Sequence, residues 1–113
     1  MKALIIEDDK VAQLWKQLLE SFGVEAIVAE TLEQALELVR AQAWEDFSED
    51  NRVIVFTDGR LSSGEFNTLP VLAEIPNGPG IEKIACSGEP NLRILQMQNG
   101  CTHDSGGKEK VPA

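Results

Sequence analysis

Four short apolar runs punctuate the chain, and each ends in a polar turn: Ala3-Leu4-Ile5-Ile6, Ala26-Ile27-Val28, Val53-Ile54-Val55-Phe56 and Ile84-Ala85-Cys86. Runs this short, apolar throughout and rich in β-branched residues, fit strands buried on both faces. They predict strands over 3–6, 25–29, 53–56 and 81–87. Between them the period changes to that of a helix. Val11, Leu14, Trp15, Leu18, Leu19 and Phe22 predict a helix over 10–22 that stops at Gly23, with Trp15 as a packing residue on its apolar stripe. Thr31-Leu32-Glu33-Gln34 has the form of a capping box, and Leu32, Ala35, Leu36 and Val39 carry the helix it opens to about Gln42. A polar loop follows over 44–51, with Trp44 as a surface aromatic. A third helix is expected over 67–75, where Pro70 restricts the first turn. A fourth spans 90–98, with Leu92, Ile94, Leu95 and Met97.

Strand and helix alternate through four clear β/α units with short connections. That order predicts an α/β fold: a doubly wound parallel sheet with helices on both faces. The pattern weakens after Asn99-Gly100. Residues 101–108 hold no apolar run, so a fifth strand is weak, and 109–113 are too few for a fifth helix. The expected organisation is one domain over 1–110 and a tail over 111–113. A sheet lacking its last helix leaves apolar surface bare, which predicts self-association as a homodimer.

Composition narrows the functional classes. With 10 basic against 19 acidic residues the net charge is −9. Such a chain is repelled by phosphate backbones and anionic bilayers, so neither direct DNA binding nor membrane attachment is expected. Most of this acidity serves solubility. Cys86 and Cys101 are too few for a disulfide scaffold, no signal peptide is evident, and no apolar stretch approaches the roughly 20 residues of a spanning helix. A cytoplasmic location is expected.

The chemistry concentrates where strands end. In a parallel α/β sheet, residues just past the carboxyl ends of neighbouring strands converge on one crevice. Glu7, Asp8, Asp58 and Ser87 share that address. Three converging carboxylates repel one another unless a cation compensates, and Mg²⁺, a hard ion that takes oxygen ligands, fits the set. Taken singly, each acidic residue reads equally well as a solvated or capping group, as Asp9 does before the first helix. Their joint placement is what argues for a site.

These segments together resemble the receiver domains of two-component response regulators. Leu4-Ile5-Ile6-Glu7-Asp8-Asp9 is similar to the family's first strand and acidic turn, and residues 53–61 to its third strand and phospho-acceptor turn. Ile84-Ala85-Cys86-Ser87-Gly88 resembles the fourth strand with its hydroxyl residue, and Lys108 follows Ser87 by 21 residues, near the family spacing. The resemblance implies a flavodoxin-like receiver fold and a phosphorylatable signalling domain rather than an enzyme. It implies Asp58 as phospho-acceptor and Mg²⁺ held by Asp8, Asp58 and the backbone carbonyl of Arg60, with Glu7 acting through water. It gives Lys108 and Ser87 the phosphoryl oxygens to contact. A histidine kinase or phosphotransfer protein would be the donor, and an unidentified downstream protein the recipient of the signal.

Departures from the pattern keep a rival open. The chain has no tyrosine, and Ser105 stands near the position of the family's switching aromatic. Ser62 and Glu109 replace common prolines. The rival is a receiver-like interaction module that phosphorylation does not regulate. A hydrolase using the same carboxylates lacks an evident general acid. Gly106-Gly107-Lys108 lacks the first glycine and the Ser/Thr of a phosphate-binding loop, and adjacent His103-Asp104-Ser105 cannot converge as a triad.

Overall fold

The structure is a computed structural model that describes residues 1–59, 61 and 68–107. Arg60, Ser62, Lys108, Glu109 and the tail over 111–113 lie outside the described residues. Strands β1 (Lys2–Ile6), β2 (Glu25–Ala29), β3 (Val53–Thr57), β4 (Ile81–Ala85) and β5 (His103–Asp104) form one sheet in the order β2-β1-β3-β4-β5, with every pair parallel. Helices α1 (Val11–Ser21), α2 (Leu32–Arg40), α3 (Leu69–Ala73) and α4 (Pro90–Gln98) connect them, with a 3₁₀ turn at Trp44–Asp46.

The apolar runs lack alternation because both faces of the sheet are covered. Ala3, Ile5 and Phe56 pack with Ala12 and Trp15 of α1, while Leu4, Ile6, Val53 and Val55 pack with Ala35 and Val39 of α2 and Val71 and Leu72 of α3. Period-two geometry sends neighbours on a strand to opposite clusters, so each must be apolar. Trp15 lies against Phe56 with ring centroids 6.3 Å apart.

Helix ends follow local chemistry. Thr31 Oγ1 accepts from Gln34 N at 3.1 Å, and Gln34 Oε1 accepts from Glu30 N at 2.9 Å, one residue earlier than a reciprocal box would place it. Asp9 Oδ1 accepts from Val11 N at 3.3 Å. Gly23, at φ 80°, ends α1 in a conformation that a side chain disfavours.

Three expectations change. On α1, Leu14, Leu18 and Phe22 are 64%, 44% and 77% exposed, because the helix rests on the sheet through Ala12 and Trp15 and its apolar stripe is wider than that contact. On α4, Ile94, Leu95 and Met97 are exposed and Gln96 is the buried residue. Trp44 is half-buried: its Nε1 donates to Val39 O at 3.0 Å, and its ring packs beside Phe47 against the α2 side of the core.

The fifth strand forms as two residues paired to β4, extended by Thr102 N to Lys83 O (2.7 Å) and Ser105 N to Ala85 O (3.0 Å). Beside it, Lys83 is buried, with Nζ donating to Asn77 Oδ1 at 2.9 Å and Ile75 O at 3.2 Å. Burial holds its ammonium below the ordinary lysine range.

Burial also pushes the Cys101 thiol up to about 12, with the Lys83 charge opposing. The unfolded thiol ionises near about 8.5. Between these values the folded state holds a proton that the unfolded state has lost, so stability falls as pH rises. Urea unfolding at about pH 8 and about pH 10 checks this. Cys101→Ala should flatten the decline. Equal slopes in the two proteins would refute it.

Candidate functional site

The strand order places the switch point between β1 and β3, where the chain turns outward to β2 on one side and continues to β4 on the other. Ile6 is in register with Thr57, so Glu7-Asp8 and Asp58 leave the sheet side by side. Backbone bonds fix the exits: Glu7 N donates to Ala29 O at 3.1 Å, and Asp58 N to Ile6 O at 2.9 Å.

One carboxylate oxygen from each of Glu7, Asp8 and Asp58 lies within 4.8 Å of the others. Glu7 and Asp58 are buried and Asp8 is exposed, so the cluster opens to solvent on the Asp8 side. Glu7 Oε1 accepts from Asp9 N at 3.1 Å, and Asp58 Oδ1 from Gly59 N at 2.7 Å. These bonds orient the carboxylates. Thr68 ties the far side of the turn, its buried hydroxyl lying 2.7 Å from Asp58 O and 3.1 Å from Gly59 O.

The donor set is all oxygen and carries three carboxylates, the chemistry that a hard divalent cation requires.

Ser87 is buried beside this turn: a Cβ built on Gly59 would stand 3.2 Å from Ser87 Cβ and 3.1 Å from Leu92 Cβ. The acceptor turn, the hydroxyl residue and α4 thus meet at Gly59, where there is room for hydrogen but little for a methyl. Ser87 Oγ accepts from Glu89 N at 3.1 Å, the role of a turn serine. That bond leaves its proton available to a second partner.

Several polar residues at this edge carry no pattern in the sequence. Gln96, between Leu95 and Met97, reads as helix surface, yet it is buried with Nε2 donating to Thr57 O at 2.7 Å. Arg93 reads as a solvated arginine, yet its Nη1 donates to Ser87 O at 2.9 Å. A cavity of about 400 Å³ lined by Trp44, Phe47, Pro76, Pro79 and Ile81 opens at the opposite, amino-terminal end of the sheet, away from the carboxylates.

No helix among the described residues is long and apolar enough to cross a membrane. No protein-family model and no curated protein matches the chain. Solved structures do. A receiver domain from Clostridium thermocellum is 27% identical at a TM-score of 0.65, over 91% of this chain and 79% of that one. A two-component response regulator from Clostridium difficile is 20% identical at 0.69, over 92% and 80%. A response regulator from Burkholderia pseudomallei, solved with a phosphorylated aspartic acid, calcium and citrate, is 18% identical at 0.70, over 91% and 57%. Five parallel strands in the order β2-β1-β3-β4-β5, with the acidic cluster at the carboxyl edge, give this chain the fold of the response-regulator receiver domains.

Proposed function

We propose that the chain is a phosphorylatable receiver domain of two-component signalling, with Asp58 as the phospho-acceptor. The observation that carries the reading is the convergence of Glu7, Asp8 and Asp58 at the switch point of a receiver fold. An Asp58 carboxylate oxygen attacks the phosphorus of the donor, the new O–P bond forms as the bond to the leaving group breaks, and the leaving group departs with that electron pair. Asp8 and Asp58 would hold Mg²⁺ with the Arg60 carbonyl, and Glu7 would support it through water. Bound there, the ion supplies charge neutralisation on the transferring group. Ser87 donates its hydroxyl proton to one phosphoryl oxygen, and Lys108 pairs with another.

A histidine kinase or phosphotransfer protein is the donor, and the signal leaves through a downstream protein. Acetyl phosphate with Mg²⁺ is expected to add one phosphoryl group to the wild type by intact-mass spectrometry. Absence of both Mg²⁺ binding by calorimetry and of any mass increase would instead support an interaction module that phosphorylation does not regulate.

Self-association belongs to the same reading. Leu14, Leu18 and Phe22 form an exposed apolar row on α1, on the side of the sheet where Ile54 and Ile84 are only partly buried. Sedimentation velocity across micromolar concentrations should show a concentration-dependent shift toward a dimer. A constant monomeric coefficient would rule it out.

A further inference from the structure

We infer that Arg93 and Gln96 are positioning residues that carry the state of the Asp58–Ser87 crevice through α4 to β5. This inference rests on the phospho-acceptor reading above. Four contacts bind α4 to the two strand ends that form the crevice. Gln96 Nε2 donates to Thr57 O, the residue before the acceptor, at 2.7 Å. Its Oε1 receives a long bond of 3.5 Å from Ser87 N. Arg93 Nη1 donates to Ser87 O at 2.9 Å. Leu92 closes on Gly59, where a built Cβ would stand 3.1 Å from it. A single stretch of helix therefore holds Ser87 at both its N–H and its carbonyl, and the acceptor turn at two further points.

The fifth link leads away from the crevice. Arg93 Nε lies 2.9 Å from Asp104 Oδ1 on β5, with the Arg93 side chain 13% exposed and that of Asp104 45% exposed. One guanidinium thus spans the Ser87 carbonyl, through a hydrogen bond from Nη1, and the edge strand, through an ion pair in which Nε lacks hydrogen-bond alignment. Gln96 is fully buried, so its amide has no water to exchange with when the strand ends move.

Displacement of Ser87 must be felt along this path. Ser87 Oγ accepts from Glu89 N, the residue preceding α4, while its own proton is available to a phosphoryl oxygen on Asp58. Drawing the hydroxyl toward the phosphoryl group pulls the first turn of α4 through Glu89, and shifts the carbonyl that Arg93 holds. Arg93 then alters its grip on Asp104. Beside the backbone bond of Ser105 N to Ala85 O, this polar linkage is a side-chain route from crevice to edge strand.

Amide NMR with beryllofluoride and Mg²⁺ as the phosphoryl mimic tests the inference, on wild type, Asp104→Asn and Arg93→Lys. In the wild type, the mimic should shift the amides of residues 58, 59 and 87 and also those of 103–105. Both variants should keep the shifts at 58, 59 and 87 while those at 103–105 fall to less than half. Asp104 is partly exposed on a two-residue strand, so its replacement leaves the core intact, and the dispersion of the unliganded spectrum checks this. Undiminished shifts at 103–105 in both variants would overturn the inference while leaving the phospho-acceptor reading in place, as would a wild type that responds only in the crevice. A wild type with no response at 58, 59 or 87 would overturn the phospho-acceptor reading itself, and the inference with it.

Discussion

Asp58→Asn should gain no phosphoryl group under conditions that modify the wild type, and it should do so without unfolding. The substitution replaces one carboxylate oxygen by an amide nitrogen, which removes the nucleophile and one negative charge from the cluster. The carbonyl oxygen of asparagine can still accept from Gly59 N, the bond that Asp58 Oδ1 makes at 2.7 Å. The bonds of the turn's backbone, from Asp58 N to Ile6 O and from the Thr68 hydroxyl to Asp58 O, do not involve the Asp58 side chain at all. Thermal unfolding should therefore stay close to the wild type while intact mass stays unmodified and Mg²⁺ binding weakens. Equal phosphorylation of the variant would move the acceptor to another residue. Loss of fold would show that the carboxylate is structural.

The largest effect on stability should come from a residue far from this chemistry. Gly80, at φ 81°, immediately precedes β4, and a Cβ built on it falls onto the backbone carbonyl of Ser48. Two penalties combine in Gly80→Ala. The left-handed backbone disfavours any side chain by about 1 kcal/mol, and the clash meets backbone, which cannot rotate away. Gly80 O also accepts from Val53 N at 2.8 Å, so relief by moving Gly80 disturbs the start of β3. A loss of about 2–4 kcal/mol is expected from urea unfolding monitored by the tryptophans. A change below about 0.5 kcal/mol, the level of an ordinary surface substitution, would contradict the placement of the 48–51 turn against the strand.

The two predictions probe opposite ends of the sheet, and their legibility in the sequence differs for the same reason. The four long strands could be read because burial on both faces forces each residue to be apolar. Val53-Ile54-Val55-Phe56 shows this with no neighbour in view. The address of Asp58 followed, since a polar residue just after such a run marks a strand end. α1 and α4 were harder. Periodicity reports which residues could be buried, whereas the contact area actually available decides which are, and Leu14, Phe22 and Ile94 were left outside it.

Gln96 shows the limit from the other direction. Its amide is buried because the Thr57 carbonyl offers a partner in reach, and nothing within a few residues along the chain encodes that carbonyl's position. Lys83 is similar, a charged residue in a strand that the core accommodates only because Asn77 and Ile75 O come near it.

By itself, then, the sequence determined the alternating elements, the parallel α/β class and the presence of Glu7, Asp8, Asp58 and Ser87 at strand ends, because hydrophobic period and turn residues act over a few positions. Only the tertiary structure decided that the first three meet within 4.8 Å, through the register of Ile6 with Thr57, and that α4 holds the crevice with Gln96 and Arg93. Those contacts join residues up to 51 positions apart within the carboxylate cluster and 39 positions apart at Gln96, and which residues meet over such separations is set by the spatial order and register of the strands in the sheet.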